Sequence, residues 1–361
     1  MADLTTLPAE LPAPTTSVLR PYPPSWIDRF TAWVDRLPGP PWLFYGGLWA
    51  VLVVIDLIGR AQDGSFDLPP VFVPVYLAAP FYNLWLIHYL DRQARLALNR
   101  FRPALNCNEE SYISLGYRLT TMPSGPTLLA TIAGALIGLL MLLIVPPAEH
   151  AQFWSIPITD LAIHRPLIQG TAILIGVVAT NLVYHAWHQL RTVSHIYAKH
   201  TVVDLFNQQP LYAFSNFSAR MAIGTLLQTY SWPLAAPEVL RNAAMASWMI
   251  GYNLVCLLIF IVPLIGIHNL LKEDREERLA QAGRFARAAR QELHRRINED
   301  QMTDMDNLYK TIHSLDLEFQ TLRHAPTWPW QPEVPRAVGV ALIFPLILWL
   351  IQWALQRMLA A

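Results

Sequence analysis

The sequence predicts an all-α polytopic membrane protein: seven transmembrane helices, N-terminus inside, C-terminus outside, with an antiparallel helical hairpin in the cytoplasm. Three observations predict it. Of the 361 residues 53% are hydrophobic and only 14% charged, with a mean hydropathy of +0.29, whereas soluble domains carry roughly 25% charged residues. Apolar runs of spanning length recur along the chain, and a hydrocarbon core of about 30 Å takes roughly 20 helical residues whose backbone bonds are satisfied internally. The lysines and arginines, finally, collect in alternate connections, as cytoplasmic loops require.

The first element, residues 1–41, is a proline-rich arm (Pro8, Pro12, Pro14, Pro21, Pro23, Pro24, Pro38, Pro40 and Pro41). It lacks the tripartite pattern of a cleaved signal peptide and is expected to be a loosely ordered cytoplasmic arm. Residues 42–267 hold helices one to six, with clear spans at 42–59, 71–90, 127–145, 167–185 and 243–267; the last helix follows at 337–355. A further run, 221–236, is diluted by Thr225, Gln228, Thr229, Ser231 and Pro233, and charge decides it. With that run as the fifth span, all but four (Arg60, Arg165, Arg241 and Arg357) of the 26 lysines and arginines fall inside; without it, the most basic stretch would lie outside, against the positive-inside rule. Trp42, Trp154, Trp232, Trp328 and Trp330 fall at expected interfaces, where amphipathic rings sit. The cytoplasmic loops are then 91–126 and 188–220. Within the second, the aromatic stretch 203–215 is expected to pack laterally or against the hairpin.

The hairpin spans 268–325. The sixth helix should continue past the membrane with Leu279, Ala282, Ala286, Ala289 and Leu293 at 3-4-3-4 spacing, and after a turn at Asn298, Glu299 and Asp300 the residues Met305, Leu308, Ile312, Leu315, Phe319 and Leu322 repeat it. The two seams face each other within a protomer or between protomers. At 1.5 Å per residue the descending arm reaches roughly 45 Å and the returning arm about 33 Å. Segment 326–361 then carries Pro326, Trp328, Pro329, Trp330 and Pro332 into the interface and feeds helix seven, where Pro345 offers a kink.

The polar intramembrane residues are Asp56, Asn83, Asn181, Gln228, Asn253 and Gln352. The amides line a hydrated path or bond neighbouring helices, the latter at about 0.6 kcal/mol each. Asp56 has Arg60 at i+4 and can pair with it near the outer end. Ala130, Gly134 and Gly138 form a stripe of small residues suited to close helix approach. His185, His188, His195 and His200 fall within an arc of about 140° on one helix. The pair His185 and His188, joined by His88 or His268, is a candidate haem or metal site; an interfacial helix extension with imidazoles at headgroup level is the alternative. Formal net charge is zero, which excludes a basic nucleic-acid-binding field. Cys107 and Cys256 are expected to be free thiols. Searches for the phosphate-binding loop, the nucleophile elbow and the His-Glu-x-x-His zinc helix find nothing, so an enzyme is disfavoured and no cofactor is expected. Asp304 and Asp306 resemble part of a calcium loop, but its central glycine and terminal glutamate are missing.

The topology, the cytoplasmic extensions after helices four and six, and a last helix in which Gln352 is followed by aromatic Trp353 resemble the seven-transmembrane ion channels that include insect odorant and gustatory receptors. The resemblance implies a homo-oligomer, a tetramer, whose cytoplasmic anchor is made by helices four to seven. It also implies a pore lined by Phe344, Leu348 and Gln352 on helix seven, gated hydrophobically and weakly cation-selective. Three function classes stand side by side: an oligomeric channel-like protein of the cell membrane, a membrane-anchored signalling or scaffold protein with a cytoplasmic partner for the hairpin, and a haem or metal redox membrane protein.

Overall fold

A computed structural model of the chain describes residues 20–62, 69–144, 164–202, 209–235, 243–300, 303–331 and 333–359. The expected aromatic stretch from 203 lies outside them up to residue 208. Among the described residues the regular elements are α1 (Trp26–Val34), α2 (Pro41–Gln62), α3 (Phe72–Phe101), α4 (Glu109–Thr120), α5 (Ser124–Ile144), α6 (His164–His200), α7 (Tyr212–Ala235), α8 (Ala243–Asn298), α9 (Met305–His324) and α10 (Glu333–Leu359), with 3-10 turns at Arg102–Ala104 and Gln209–Leu211. The fold is all-helical. By length and composition α2 and the stretch Pro166–His200 of α6 are long and apolar enough to cross a membrane, and α5 adds a shorter apolar stretch, Ser124–Leu140.

Local chemistry sets the boundaries. Ser25 closes a capping box on α1: its hydroxyl accepts from the Asp28 amide (3.2 Å), and Asp28 Oδ2 accepts from the Ser25 amide (2.8 Å). Asn108 caps α4 by accepting from the Ser111 amide, with Glu109 and Glu110 in the positive first turn. At the hairpin tip α8 ends at Asn298, and Asp300 (φ 51°) and Asp304 (φ 66°) take left-handed conformations that a short carboxylate side chain tolerates.

Helix α3 is the axis of the bundle, packing against α2, α4, α6 and α7. Its C-terminal half (Leu90, Ala94, Leu98, Phe101) joins Leu119 and Met122, Val193 and Tyr197 of α6, and Phe214 and Phe217 of α7 in one core cluster. Phe101, Tyr197 and Phe214 meet with ring centroids 4.9 to 5.6 Å apart; burying one such ring contributes about 1.5–3 kcal/mol. The stripe of small residues does what its spacing suggests: a Cβ on Gly134 would stand 2.7 Å from the Val177 Cα, and one on Gly138 the same distance from the Ile173 Cα. Helices α5 and α6 therefore cross backbone to backbone.

The long α8 pairs with α9. Ala282 and Leu322 are buried at the base of this hairpin, with Leu279 and Phe319 packed against them. Towards the tip the seam residues are only half-covered while their neighbours are exposed, so the heptad register holds but the seam is not sealed.

Candidate functional site between α1 and the helical bundle

A cavity of about 820 Å³ opens between α1, the interior of α3 and the C-terminal end of α4. Its wall carries Arg20, Arg29, Arg36, Arg92 and Arg95, together with Asp28, Asp35, Asp91 and His88. The first turn of α1 supplies Asp28 and Arg29, its C-cap Asp35 and the following Arg36 supply the next pair, and α3 supplies His88, Asp91, Arg92 and Arg95 at helical spacing.

The three carboxylates are engaged by protein donors. Asp28 Oδ2 accepts from the Ser25 amide, the Ser25 hydroxyl (2.7 Å) and the Met122 amide (3.0 Å), which clamps α1 to the α4–α5 junction. Burial nonetheless outweighs the Ser25 bonds and pushes the Asp28 carboxyl up to about 6. Asp35 accepts from His88 Nε2 (2.9 Å), which in the neutral ring leaves His88 Nδ1 to accept from the Tyr45 hydroxyl (3.2 Å). Asp91 Oδ1 accepts from His185 Nε2 (2.8 Å) and Gln189 Nε2 (3.0 Å), and Gln189 also donates to the Leu119 carbonyl. This bolts α3, α4 and α6 together in a layer where Asp91, His185 and Gln189 are all buried. The arginines are different. No hydrogen bond or ion pair engages any of the five guanidiniums among the described residues, and all five residues are exposed.

Compared with family models, curated proteins and solved structures, the chain matches none.

The predicted site residues fall in separate places. Asp56 and Arg60 pair at 2.9 Å on α2. Asn181 donates to the Thr131 hydroxyl of α5 (3.0 Å) and to the Val177 carbonyl. Asn253 donates to the Tyr230 hydroxyl, which donates to the Leu342 carbonyl, so one tyrosine joins α7, α8 and α10. Asn83 is buried on α3, and Gln228 is half-buried on α7. Phe344 is exposed on α10, while the Leu348, Gln352 and Cys256 side chains lie outside the described ones.

The four histidines do not form one ligand set: no group of three His, Cys, Asp or Glu side chains converges among the described residues. His188 Nε2 donates to the Arg118 carbonyl (2.9 Å) and lies 3.2 Å from the Tyr22 hydroxyl. His268 stacks on Trp328 (4.1 Å), and Trp328 on Trp330 (4.4 Å). That stack, with Arg275 donating to the Ala325 carbonyl (3.3 Å), fastens the end of the returning hairpin arm to α8 just before α10 begins.

Asp91, Gln189, Tyr22, Asp28 and Asp35 are functional candidates that the pattern of the sequence does not single out. The Ser-x-x-Asp signature at Ser25 marks the start of α1, but that α1 roofs a cavity follows only from the packing.

Proposed function

We propose that the chain is a seven-span membrane protein of the cell membrane with its N-terminus inside, acting as an anchored signalling or scaffold protein whose hairpin is the output. The observation that carries this reading is mechanical. Helix α8 runs 56 residues without interruption, about 84 Å at 1.5 Å per residue, and its returning partner is clamped at the base by the His268, Trp328 and Trp330 stack. A displacement of the hairpin therefore reaches α10 directly. The far part of the arm presents Phe285, Ile297, Tyr309 and Leu317 to the surroundings, side chains suited to a protein partner.

The seven-span assignment is supported by a helix at every predicted run and by outward-facing apolar side chains such as Leu128, Leu129, Leu136 and Leu143 on α5, Ile250 and Leu254 on α8, and Val340 and Ile343 on α10. Such surfaces are satisfied by lipid. Intramembrane amides that bond neighbouring helices favour packing over a hydrated path. The channel reading keeps one observation of its own: Val340, Ile343, Phe344, Ile347 and Ile351 form an exposed stripe on α10, where copies could meet around a pore.

Planar-bilayer recording of the reconstituted full chain separates the two. The scaffold reading expects baseline current at every protein density. A steady conductance that changes ion selectivity in Gln352→Leu would overturn it in favour of the channel.

A further inference from the structure

We propose that the arginine-lined cavity binds the headgroup of an anionic phospholipid from the cytoplasmic leaflet, with the acyl chains leaving past Trp33 and the α1–α2 connection. The site rests on the inside placement of α1 argued above, and on four observations independent of the hairpin.

The first is charge without partners. Arg20, Arg29, Arg36, Arg92 and Arg95 share one wall, and none is engaged by a described residue. Five guanidiniums around one cavity favour an anion within it, and the planar guanidinium fork matches phosphate oxygens bidentately. The second is that none of the carboxylates on that wall forms an ion pair with these arginines among the described residues. Asp28, Asp35 and Asp91 are already bonded to Ser25 and Met122, to His88, and to His185 and Gln189. The third is size: about 820 Å³ lies within the range of small-molecule pockets, about 300–1,000 Å³.

The fourth separates a lipid from a free phosphate compound. A second cavity of about 310 Å³ opens at the C-terminal end of α1, lined by Val34, Leu37, Pro38, Gly39, Pro40, Pro41, Leu43 and Phe44, with no charged residue among them. Trp33 belongs to the wall of the polar cavity, and it is exposed, as are Trp42 and Leu43 nearby in the chain. A polar chamber and an apolar one thus share a single helix end, with tryptophans that favour headgroup depth. That is the shape of an amphiphile, whereas a soluble phosphate compound would leave the apolar chamber unfilled.

Native mass spectrometry of the full chain in a non-ionic detergent tests this, with equal amounts of phosphatidylglycerol and phosphatidylcholine offered. We expect phosphatidylglycerol to be retained first, and the double variant R92Q/R95Q to weaken it about twentyfold, since each basic residue at an anionic surface contributes a few-fold. The hairpin double variant R287Q/R290Q should retain the lipid as the parent does. Equal retention of the two lipids overturns the proposal, as does equal weakening in the hairpin variant, which would mean a diffuse field in place of a site. Displacement of the lipid by equimolar glycerol 3-phosphate overturns it in favour of a soluble phosphate ligand. Labelling of Arg29→Cys with an impermeant maleimide, in sealed vesicles of either orientation, keeps the two readings apart. Reaction from the outside removes the inside placement itself, while protection there combined with no lipid preference removes the lipid site alone.

Discussion

The part of the bundle around the cavity and the α8–α9 hairpin are built from the same residue types used in opposite ways. In the bundle, the carboxylates at the cavity are bonded across elements distant in sequence: Asp91 to His185 and Gln189, Asp35 to His88, Asp28 to Met122. In the hairpin they are half to fully exposed and paired along their own helix, as Glu292 with Arg295 and Arg296, Asp274 with Arg278, and Lys310 with Asp306. Long-range pairs fix how helices stand against each other; exposed pairs one turn apart stabilise a helix and leave its surface free. The contrast identifies one region as a rigid frame and the other as a presenting surface, and it sets what substitution should do in each.

Glycine gives the largest expected contrast. Gly134→Leu places a side chain into the α6 backbone at a crossing where even a Cβ is too close, so α5 and α6 must separate; the expected outcome is loss of folded, monodisperse protein on size exclusion. Gly283 in the hairpin has nothing within 4 Å of a Cβ. There Gly283→Ala should raise helix stability by about 0.5–1 kcal/mol. A folded, unshifted Gly134→Leu protein would break the comparison at its strongest point.

Next comes Asp91. Replacing it by Ala strands buried His185 and Gln189 donors and should cost about 1–3 kcal/mol, more if the pair is charged; Asp91→Asn, which keeps an acceptor, should recover part of that. Removing the solvent-accessible Glu292 charge by Glu292→Gln should leave the melting temperature unchanged within scatter. Thermal unfolding followed by circular dichroism, in one detergent, measures all three variants.

Much of the frame is legible in the sequence because it follows from periodicity and composition. Apolar runs mark where helices α2, α3, α5, α6, α7, α8 and α10 lie; Ala130, Gly134 and Gly138 announce a close crossing; the 3-4 spacing from Leu279 to Leu322 announces a hairpin. Helix lengths are less legible. The run 221–236 reads as short because Thr225 and Thr229 look polar, yet both are buried with their hydroxyls bonded to carbonyls of their own helix, and α7 begins at Tyr212. The site is the least legible part. Arg92 and Arg95 count in the sequence only as inside charges, and Asp91 and His185, 94 positions apart, become partners through the side-by-side packing of α3 and α6, a property of the assembled bundle. The proline-rich arm reads as unstructured, although Ser25 and Asp28 cap a nine-residue helix within it.

The smallest expected effect, and the most diagnostic, is in pH. The Asp28 carboxyl sits near 6 in the folded protein because burial disfavours its charge, against an ordinary value of 3.8. The folded state therefore takes up a proton before the unfolded chain does. Stability attributable to Asp28 must rise as pH falls from 7 through about 6, level off below 3.8, and be lost again as pH rises. Glu292 has the opposite sign: its arginine neighbours hold it down to about 2, so its contribution is present above the ordinary glutamate value and fades only in strong acid. Between pH 7 and 5 the bundle responds through Asp28, then, while Glu292 in the hairpin stays silent. Subtracting the stability profile of Asp28→Asn from that of the parent should leave a curve that climbs toward acid across that interval, and Glu292→Gln should leave a flat one. A flat difference for Asp28→Asn would mean that its three hydrogen bonds win over burial, and that the clamp holding α1 over the cavity keeps its charge well below pH 6.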